Sequence, residues 1–259
     1  MDLFLTGKRV VITGASQGIG EGLARAFAQE GANLHLVARS SERLALLQQD
    51  LNRAHGVDVR IQPLDLTVRG AVEAVAAAIP DIDILINNAG AIPGGDLWTV
   101  DAESWRQGWA LKVFGTIDLT RAIYPMMKAR GGGVILNTIG IGGENFDFDY
   151  IAGSTGNAAL MAFTRALGGR SLADAIRVIG VNPGPVATSR IEKILQARAR
   201  AEFGDAARYT HYLDRYPLGR PATVREVADL FVFLASSRSS YTSGAIITLD
   251  GGLTSKRSI

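Results

Sequence analysis

Short runs of apolar residues alternate with longer segments of helical periodicity along the whole 259-residue chain. The short runs are rich in Val, Ile and Leu, which is typical of parallel strands buried on both faces, and the segments between them are typical of crossover helices. Strands are predicted over 8–13, 33–38, 57–62, 83–87, 133–138, 176–182 and 245–249. Helices are predicted over 18–30, 41–55, 68–79, 102–129, 151–169, 189–202 and 223–236. The pattern therefore indicates an α/β fold with a doubly wound, mostly parallel seven-stranded sheet and helices on both faces.

The pattern predicts one domain over residues 1–259, because no linker, repeat or low-complexity stretch divides the chain. The segment from Arg190 to Arg220 breaks the alternation of strands and helices, since it is rich in Arg and Ala and ends near two prolines. We expect a helical insertion over about 189–220. Because insertions beside strand ends often cover binding sites, this one is predicted to form a lid over the substrate.

Composition excludes several classes of protein. The chain has a formal net charge of +2 and no basic cluster, so no nucleic-acid partner is expected. It has no cysteine, and its three histidines lack the spacing of metal ligands, so no metal site is expected. No apolar run reaches the roughly 18 residues of a membrane span, and the first residues do not follow a signal-peptide pattern. We therefore expect a cytoplasmic protein that does not associate with membranes.

A glycine-rich loop follows the first strand directly. The strand Arg9–Thr13 runs into the segment GASQGIG, residues 14–20, and then into a helix. Glycines at such a turn let the backbone approach a pyrophosphate, and the amides of the helix N-terminus point towards it. The alternative is an ordinary strand-to-helix turn, but the flanking strand and helix favour a dinucleotide site. The residues predicted to contact the dinucleotide here are Gly14, Ser16, Gln17, Gly18, Ile19 and Gly20.

The end of the second strand indicates which dinucleotide is bound. An acidic residue at this position would accept hydrogen bonds from the two ribose hydroxyls, whereas a guanidinium suits a 2′-phosphate. The chain has Arg39 and Ser40 here and no acid at the strand tip. NADP(H) is therefore favoured over NAD(H), the alternative being that Arg39 is a solvated surface residue.

Five short motifs, in this order and spacing, resemble those of the classical short-chain dehydrogenase/reductase family. They are Thr13 to Gly20, Asp65-Leu66, Asn87 to Gly90, Pro183 to Thr188 and Asp250 to Gly252. The resemblance covers nearly the whole chain and implies a single-domain Rossmann fold that binds a nicotinamide dinucleotide. It implies further cofactor contacts from Asp65, Leu66, Asn88, Ala89, Gly90, Pro183, Gly184 and Thr188.

In that family, Asp65 would hydrogen-bond the adenine amine, and Pro183, Gly184 and Thr188 would hold the nicotinamide carboxamide. Each motif also has a purely structural explanation. Asp65 could cap the following helix, residues 87–90 could form a strand-ending turn, and residues 183–185 could form a rigid loop. Their joint occurrence in one chain favours the cofactor site.

The resemblance also implies four catalytic side chains, an Asn, a Ser, a Tyr and a Lys, and none is found where it is expected. Lys112 stands in place of the Asn, and Gly140 stands in place of the Ser. Gly153 and Asn157 stand in place of the Tyr and the Lys. The chain is therefore interpreted as a divergent member without the usual tetrad, unless the loop over 143–150 hides a shift of the alignment.

Lys112 and Tyr150 are the two candidate catalytic residues. Lys112 interrupts the inward-facing stripe of its helix, so it either extends to solvent or enters the cleft, where its charge could stabilise an oxyanion. Tyr150 lies three residues before the expected tyrosine, on roughly the same face if the helix already starts there. The alternative for Tyr150 is an aromatic residue that packs beside Phe146 and Phe148.

The sequence is most consistent with an NADP(H)-dependent oxidoreductase of the short-chain type that acts on a small carbonyl or alcohol, with Lys112 and Tyr150 replacing the usual groups. One alternative is a catalytically inactive NADP(H)-binding sensor or partner subunit. Another is a non-redox lyase or isomerase with Asp147 or Asp149 as base, although both acids suit a solvated loop. The apolar faces of the long helices predict a homodimer or homotetramer. Four arginines of the insertion suggest an anionic substrate, although a solvated helix face explains them equally well: Arg190, Arg198, Arg200 and Arg208.

Overall fold

Seven parallel strands form one sheet in the computed structural model, which describes residues 1–255. The strands are β1 Arg9–Thr13, β2 Asn33–Ala38, β3 Val59–Pro63, β4 Ile84–Asn87, β5 Gly133–Thr138, β6 Ile176–Pro183 and β7 Ile246–Leu249. Their order is β3-β2-β1-β4-β5-β6-β7, and every neighbouring pair is parallel. The predicted α/β fold with a doubly wound sheet is confirmed, and the sheet is entirely parallel among the described strands. Residues 256–259 of the predicted domain lie outside the described part of the chain.

The helices alternate with the strands as predicted. They are α1 Gly18–Gln29, α2 Ser41–His55, α3 Ala71–Ala78, α4 Ala102–Trp109, α5 Gly115–Ala129, α6 Ile151–Ser171, α7 Ser189–Phe203 and α8 Val224–Ala235. The start of α3 was predicted three residues too early. Gly70 precedes the helix in a left-handed conformation, φ +83°, and therefore cannot belong to its first turn. None of the helices within residues 1–255 combines the length and the apolarity needed to cross a membrane.

The single helix predicted over 102–129 is wrong in one respect, because α4 and α5 are separated by a turn of π-helix. This turn spans Ala110–Phe114 and contains Lys112. Its hydrogen bonds run to the fifth residue along the chain, so it holds more residues than an α-helical turn. A hydrophobic pattern read at 3.6 residues per turn cannot reveal such a break.

Helices cover both faces of the sheet and bury its apolar side chains. On one face α1, α2 and α8 pack around Phe27, Leu44 and Phe231. On the other face α3 and α5 pack around Ile123 and Met127. With both faces closed, the ligand-accessible part of such a sheet is its carboxyl edge, where the loops lie.

The segment predicted as a helical insertion contains α7 followed by 3₁₀ turns over Ala206–Arg215 and Pro217–Gly219. It has a small apolar cluster of its own, formed by Leu195, Ala199 and Tyr212. Three of its arginines stack on aromatic rings of this cluster, among them Arg215, which lies 5.6 Å from the ring centre of Tyr212. Arg198 lies 5.1 Å from the ring centre of Tyr212, and Arg208 lies 4.2 Å from that of Phe203. The segment is therefore an ordered unit at the carboxyl edge of β6.

A buried amide network ties the central strands to the two longest helices. Asn87, the last residue of β4, donates from Nδ2 to Asn137 Oδ1 at 2.9 Å and to Thr120 Oγ1 of α5 at 3.1 Å. Asn137 of β5 donates in turn to Thr164 Oγ1 of α6 at 2.9 Å. All four residues are buried. The network fixes the carboxyl ends of β4 and β5 relative to α5 and α6.

Replacing Asn137 by Ala is expected to lower the free energy of unfolding by about 2–3 kcal/mol, because it removes one of the two acceptors of the Asn87 amide and the donor to the Thr164 hydroxyl in the core. Urea denaturation followed by circular dichroism measures this change. The matched control is Asn52→Ala on the exposed face of α2, which should stay within about 0.5 kcal/mol of the wild type. Equal stability of the two variants would contradict the role given to the network.

Candidate functional site

The glycine-rich loop lies at the carboxyl edge of the sheet, between β1 and β4, where the order of the strands reverses. Gly14 has φ +66°, and a Cβ on this residue would lie 2.9 Å from the Cα of Ala89. A Cβ on Gly20 would lie 2.7 Å from Asn88 Nδ2. Both glycines are therefore required for the close approach of the loop, α1 and the end of β4. This position is the usual ligand-binding crevice of an open α/β sheet.

The N-terminus of α1 is open to an anion. Gln17 occupies the capping position, but its side chain does not cap the helix and instead accepts a hydrogen bond from Arg43. The first-turn amides of α1 thus have no side-chain acceptor within the helix cap. Gly18 faces the neighbouring loop, where its Cβ would lie 3.5 Å from the methyl group of Thr188. Ser16 is half-buried in the loop, and Ile19 packs on the core beneath it.

The segment after β4 holds the glycine loop in place. Thr13 Oγ1 accepts hydrogen bonds from the backbone N–H groups of Asn88 and Ala89 at 2.9 and 3.0 Å. Asn88 Nδ2 donates to the carbonyl oxygen of Thr13 at 3.0 Å. The predicted cofactor residue Asn88 therefore directs its side-chain amide to the protein, which gives it a positioning role.

Arg39 and Asp65 meet at the ends of β2 and β3. Arg39 is 73% exposed in its side chain, and its Nη1 lies 3.9 Å from Asp65 Oδ2. The hydrogen bonds that Asp65 accepts from the backbone N–H and the hydroxyl of Thr67, together with the nearby charge of Arg39, lower the pKa of Asp65. Asp65 therefore caps a turn at Thr67 and does not cap α3, which begins after Gly70. Leu66 beside it is buried in the core.

Ser40 and Arg43 form the start of α2. Ser40 is the N-cap, and its Oγ accepts a hydrogen bond from the backbone N–H of Arg43 at 3.4 Å. Arg43 then reaches the glycine loop through its contact with Gln17. The sequence pattern predicts Ser40 as a cofactor-binding residue but does not predict Arg43. A second cation one helical turn after Arg39 is the sequence feature that indicates it.

The loop after β6 closes the other side of the crevice. Gly184 N donates to the carbonyl oxygen of Leu249 at 2.9 Å, and a Cβ on Gly184 would lie 2.9 Å from the Cβ of Asp250. Thr188 occupies the capping position of α7, and its hydroxyl bonds the carbonyl oxygen of Val186. Pro183 is the buried last residue of β6. Of these three motif residues, Thr188 lies against the glycine loop, beside Gly18.

Lys112 enters the cleft and does not extend to solvent. Its stem lies against Gly90, where a Cβ would be 2.9 Å from Lys112 Cδ. Its Nζ donates to the carbonyl oxygen of Ile139, just beyond β5, at 2.6 Å. Burial, with a smaller contribution from the positive charge of Arg190, lowers the pKa of Lys112 to about 7. The ammonium group has three donors, so two remain after the bond to Ile139.

Tyr150 stands immediately before α6, and its ring folds back over the first turn of this helix. A Cβ on Gly153 would fall within the ring, and a Cβ on Gly142 would lie 3.4 Å from Tyr150 Cδ1. The ring does not pack beside Phe146 and Phe148 as the alternative supposed. Phe148 instead pairs with Trp98, with ring centres 5.9 Å apart.

Asn157 faces the same floor of the cleft. A Cβ on Gly140, which has φ +133°, would lie 3.3 Å from Asn157 Nδ2. The Asn157 side chain is buried, and among the described residues its Oδ1 has no hydrogen-bond partner. Gly140 directly follows Ile139, which accepts the hydrogen bond from Lys112, and it lies beside Asn157, while Gly153 lies against the ring of Tyr150.

Asp147 and Asp149 are exposed loop residues. Asp147 Oδ1 accepts a hydrogen bond from the backbone N–H of Asp149 at 2.9 Å, which turns it into the loop. The geometry favours the solvated-loop interpretation of both acids. Within residues 1–255 no group of three or more His, Cys, Asp or Glu side chains could hold a metal ion.

One arginine of the insertion behaves differently from the others. Arg190, at the start of α7, donates from Nη2 to the carbonyl oxygen of Ile92 at 3.0 Å. Ile92 lies two residues beyond Gly90, on the loop that borders Lys112. The sequence pattern grouped Arg190 with three other arginines and could not show that it turns towards the cleft.

Comparisons with known proteins agree with this geometry. A family model described as enoyl-(acyl carrier protein) reductase matches residues 14–254. Galactitol 2-dehydrogenase (L-tagatose-forming) of Cereibacter sphaeroides is 35% identical over 252 residues, which cover 96% of both chains. The 2-keto-3-deoxy-L-fuconate dehydrogenase of Xanthomonas campestris is 33% identical, over 96% of this chain and 80% of the relative.

A solved structure is similar over almost the entire length. The crystal structure of L-sorbose reductase from Gluconobacter frateurii, complexed with NADPH and L-sorbose, is 34% identical and has a TM-score of 0.92. The match covers 99% of this chain and 100% of the reductase. The strand order, the glycine loop and these full-length matches lead to one conclusion: the chain belongs to the short-chain dehydrogenase/reductase family.

Proposed function

We propose that this protein is an NADP(H)-dependent oxidoreductase that interconverts an alcohol and a carbonyl on a polyhydroxylated substrate, with Lys112 and Tyr150 acting at the reacting oxygen. The observation that carries the proposal is the position of the Lys112 amine. It reaches the carboxyl end of β5 at the same edge of the sheet as the glycine loop.

The residues at β1, β2 and β3 fit a dinucleotide with a 2′-phosphate. The close-packed glycines and the uncapped N-terminus of α1 suit the pyrophosphate. Arg39 is largely exposed, and its 3.9 Å pair with Asp65 is weak enough to leave the guanidinium free for a phosphate. Arg43 adds a second cation beside the loop. NADP(H), when bound, supplies the hydride donor or acceptor.

The substrate class follows from the named relatives. One acts on galactitol, one on L-sorbose and one on 2-keto-3-deoxy-L-fuconate. These compounds share several hydroxyl groups beside the reacting carbon. We extend this polyhydroxylated class to the present chain, with the segment over 189–220 as the lid that covers the substrate.

Two side chains act on the reacting oxygen. In the reduction direction negative charge grows on that oxygen, and a partly buried ammonium that is already in place stabilises this charge. Lys112 has two free donors for this purpose, and a pKa near neutrality lets it also release a proton. Tyr150 offers a phenol from the neighbouring loop, over the glycine floor. Asn157 lies beneath both.

The protein is also proposed to associate into a homodimer or homotetramer. On α6, Ala159, Ala162 and Ala166 are exposed in the single chain, and Phe163 is half-buried. An apolar helix face of this kind is commonly covered by another copy.

Replacing Arg39 by Ala is expected to weaken NADPH binding about tenfold to a hundredfold and to leave NADH binding unchanged, because it removes charged hydrogen bonds to the 2′-phosphate alone. Fluorescence titration of the purified protein with both nucleotides measures this. Arg53→Ala, which removes an exposed charge from the other end of α2, is the matched control. An unchanged NADPH-to-NADH ratio in Arg39→Ala would refute the proposed preference.

Replacing Lys112 by Met keeps the bulk of the stem and removes the charge. We expect kcat for carbonyl reduction to fall by about 10²–10⁴-fold. Because the lowered pKa of Lys112 is about 7, the wild-type rate should fall as the pH rises through 7 and the ammonium loses its proton.

NADPH oxidation with L-sorbose, L-tagatose and a panel of related ketoses, followed across neutral pH, measures both effects. The limb near pH 7 should be absent in Lys112→Met, while Lys193→Met on α7 should behave like the wild type. Wild-type rates in Lys112→Met would show that this lysine is not catalytic. Tight NADPH binding without turnover of any carbonyl would favour the inactive binding protein instead.

Replacing Gly153 by Ala tests the placement of the Tyr150 ring. In the wild type the added methyl group collides with the ring, so we expect a loss of about 1–3 kcal/mol in the free energy of unfolding. In a Tyr150→Ala background the same change should stabilise the protein by about 0.5–1 kcal/mol, since Ala is the better helix former. Urea denaturation of the four proteins of this double-mutant cycle gives the coupling. Equal effects in both backgrounds would place the ring elsewhere.

A further inference from the structure

Two cations share the substrate half of the cleft without a carboxylate partner. The ion pairs found within residues 1–255 include neither Lys112 nor Arg190. Both are held by backbone carbonyl oxygens instead, Lys112 by that of Ile139 and Arg190 by that of Ile92. They are close enough for the charge of Arg190 to disfavour the protonated form of Lys112.

Several cations elsewhere in the described part of the chain are compensated or turned away. Arg39 approaches Asp65, and Lys128 pairs with Asp174 at 2.8 Å. On α7 itself, Arg198 stacks on the ring of Tyr212 and takes no part in the cleft. Arg190 therefore differs from the remaining arginines of the insertion in its orientation, not only in its sequence position.

The acids of the surrounding loops do not neutralise this pair. Asp147 and Asp149 are exposed, and Asp147 accepts a hydrogen bond within its own loop. Glu144, at the start of that loop, accepts a hydrogen bond from the hydroxyl of Thr248 on β7. The two acids of the loop after β4, Asp96 and Asp101, accept hydrogen bonds from the backbone of their own turns.

Arg190 is exposed and Lys112 is half-buried. Two like charges beside each other repel, and an anion placed between them removes this repulsion. The guanidinium of Arg190 uses one donor on Ile92 and keeps the others, which suit the two oxygens of a carboxylate. Lys112 keeps two donors as well. The site thus has charge and hydrogen-bonding capacity that a neutral polyol or ketose would not satisfy.

We propose that Arg190, together with Lys112, forms an anion subsite for a carboxylate of the substrate, so that this protein prefers a polyhydroxy acid to a neutral polyol or ketose. The inference rests on the proposed function for the reaction itself, but the subsite is a binding property that is measured without turnover.

The first test is a binding measurement in which no reaction can occur. D-gluconate and D-galactonate are titrated calorimetrically into the protein with and without saturating NADPH, against D-glucitol and galactitol. Within each pair the molecules differ only in a terminal carboxylate in place of a CH₂OH group. Each acid should bind at least about tenfold more tightly than its neutral counterpart, since the carboxylate forms charged hydrogen bonds with Arg190.

The second test uses variants. Arg190→Gln should abolish the preference for the acids, whereas Lys193→Gln, which removes a charge from the exposed face of the same helix, should retain it. In NADPH oxidation assays, 2-keto-D-gluconate should likewise have a KM at least about tenfold lower than D-fructose, and 5-keto-D-gluconate a KM lower than L-sorbose by the same factor. Arg190→Gln should raise KM for the acids alone.

Three results would overturn the proposal. The first is that the acids bind no more tightly than the neutral compounds, including the case in which none binds. The second is that Arg190→Gln retains the preference. The third is that Arg190→Gln weakens NADPH and NADH binding and leaves D-gluconate binding unchanged, because the anion would then be the cofactor pyrophosphate. Binding of D-gluconate or D-galactonate, with no keto acid or ketose that oxidises NADPH, would instead contradict the proposed function and leave the subsite standing.

Discussion

The arrangement of the catalytic half depends on the buried amides of Asn87 and Asn137. These side chains link the carboxyl ends of β4 and β5 to α5 and α6 through Thr120 and Thr164. The same four elements carry the residues of the cleft, since β4 leads to Gly90, the π turn with Lys112 precedes α5, and Asn157 lies on α6. A buried amide that loses its partner is costly, so the network permits essentially one relative position of these elements. The positions of the cleft residues are therefore set by the core beneath them.

Both halves of the carboxyl edge have a positive electrostatic potential, but different groups produce it. At β1 to β3 the positive potential comes from the open N-terminus of α1 and from Arg39 and Arg43. At β4 to β6 it comes from Lys112 and Arg190. The acids of the bordering loops, Asp147 among them, are turned to solvent or held within their own turns. The potential along this edge therefore favours anionic ligands, although the net charge of the chain is only +2.

Local pattern sufficed for the fold and for the first half of the site. Buried parallel strands and amphipathic crossover helices have distinct hydrophobic periods, so all seven strands and most helix bounds are predictable to within a few residues. The glycine loop is also a local feature of strand, turn and helix. The π turn, the inward direction of Arg190 and the contact of Tyr150 with Gly153 depend on neighbours distant in sequence or on a single inserted residue. A hydrophobic pattern does not contain this information, so the arrangement of the cleft around Lys112 and Tyr150 is not predictable from the sequence alone.

The contact between Tyr150 and Gly153 also limits how this chain can change over evolutionary time. While the aromatic ring stays over the first turn of α6, position 153 is closed to every residue except glycine. A tyrosine can therefore return to position 153 only if the ring at position 150 leaves first or at the same time. If the residue at position 153 is enlarged first, the protein is overpacked. If Tyr150 is replaced first, the protein loses its phenol. The two positions form an epistatic pair, and a lineage that has acquired this arrangement is expected to keep it.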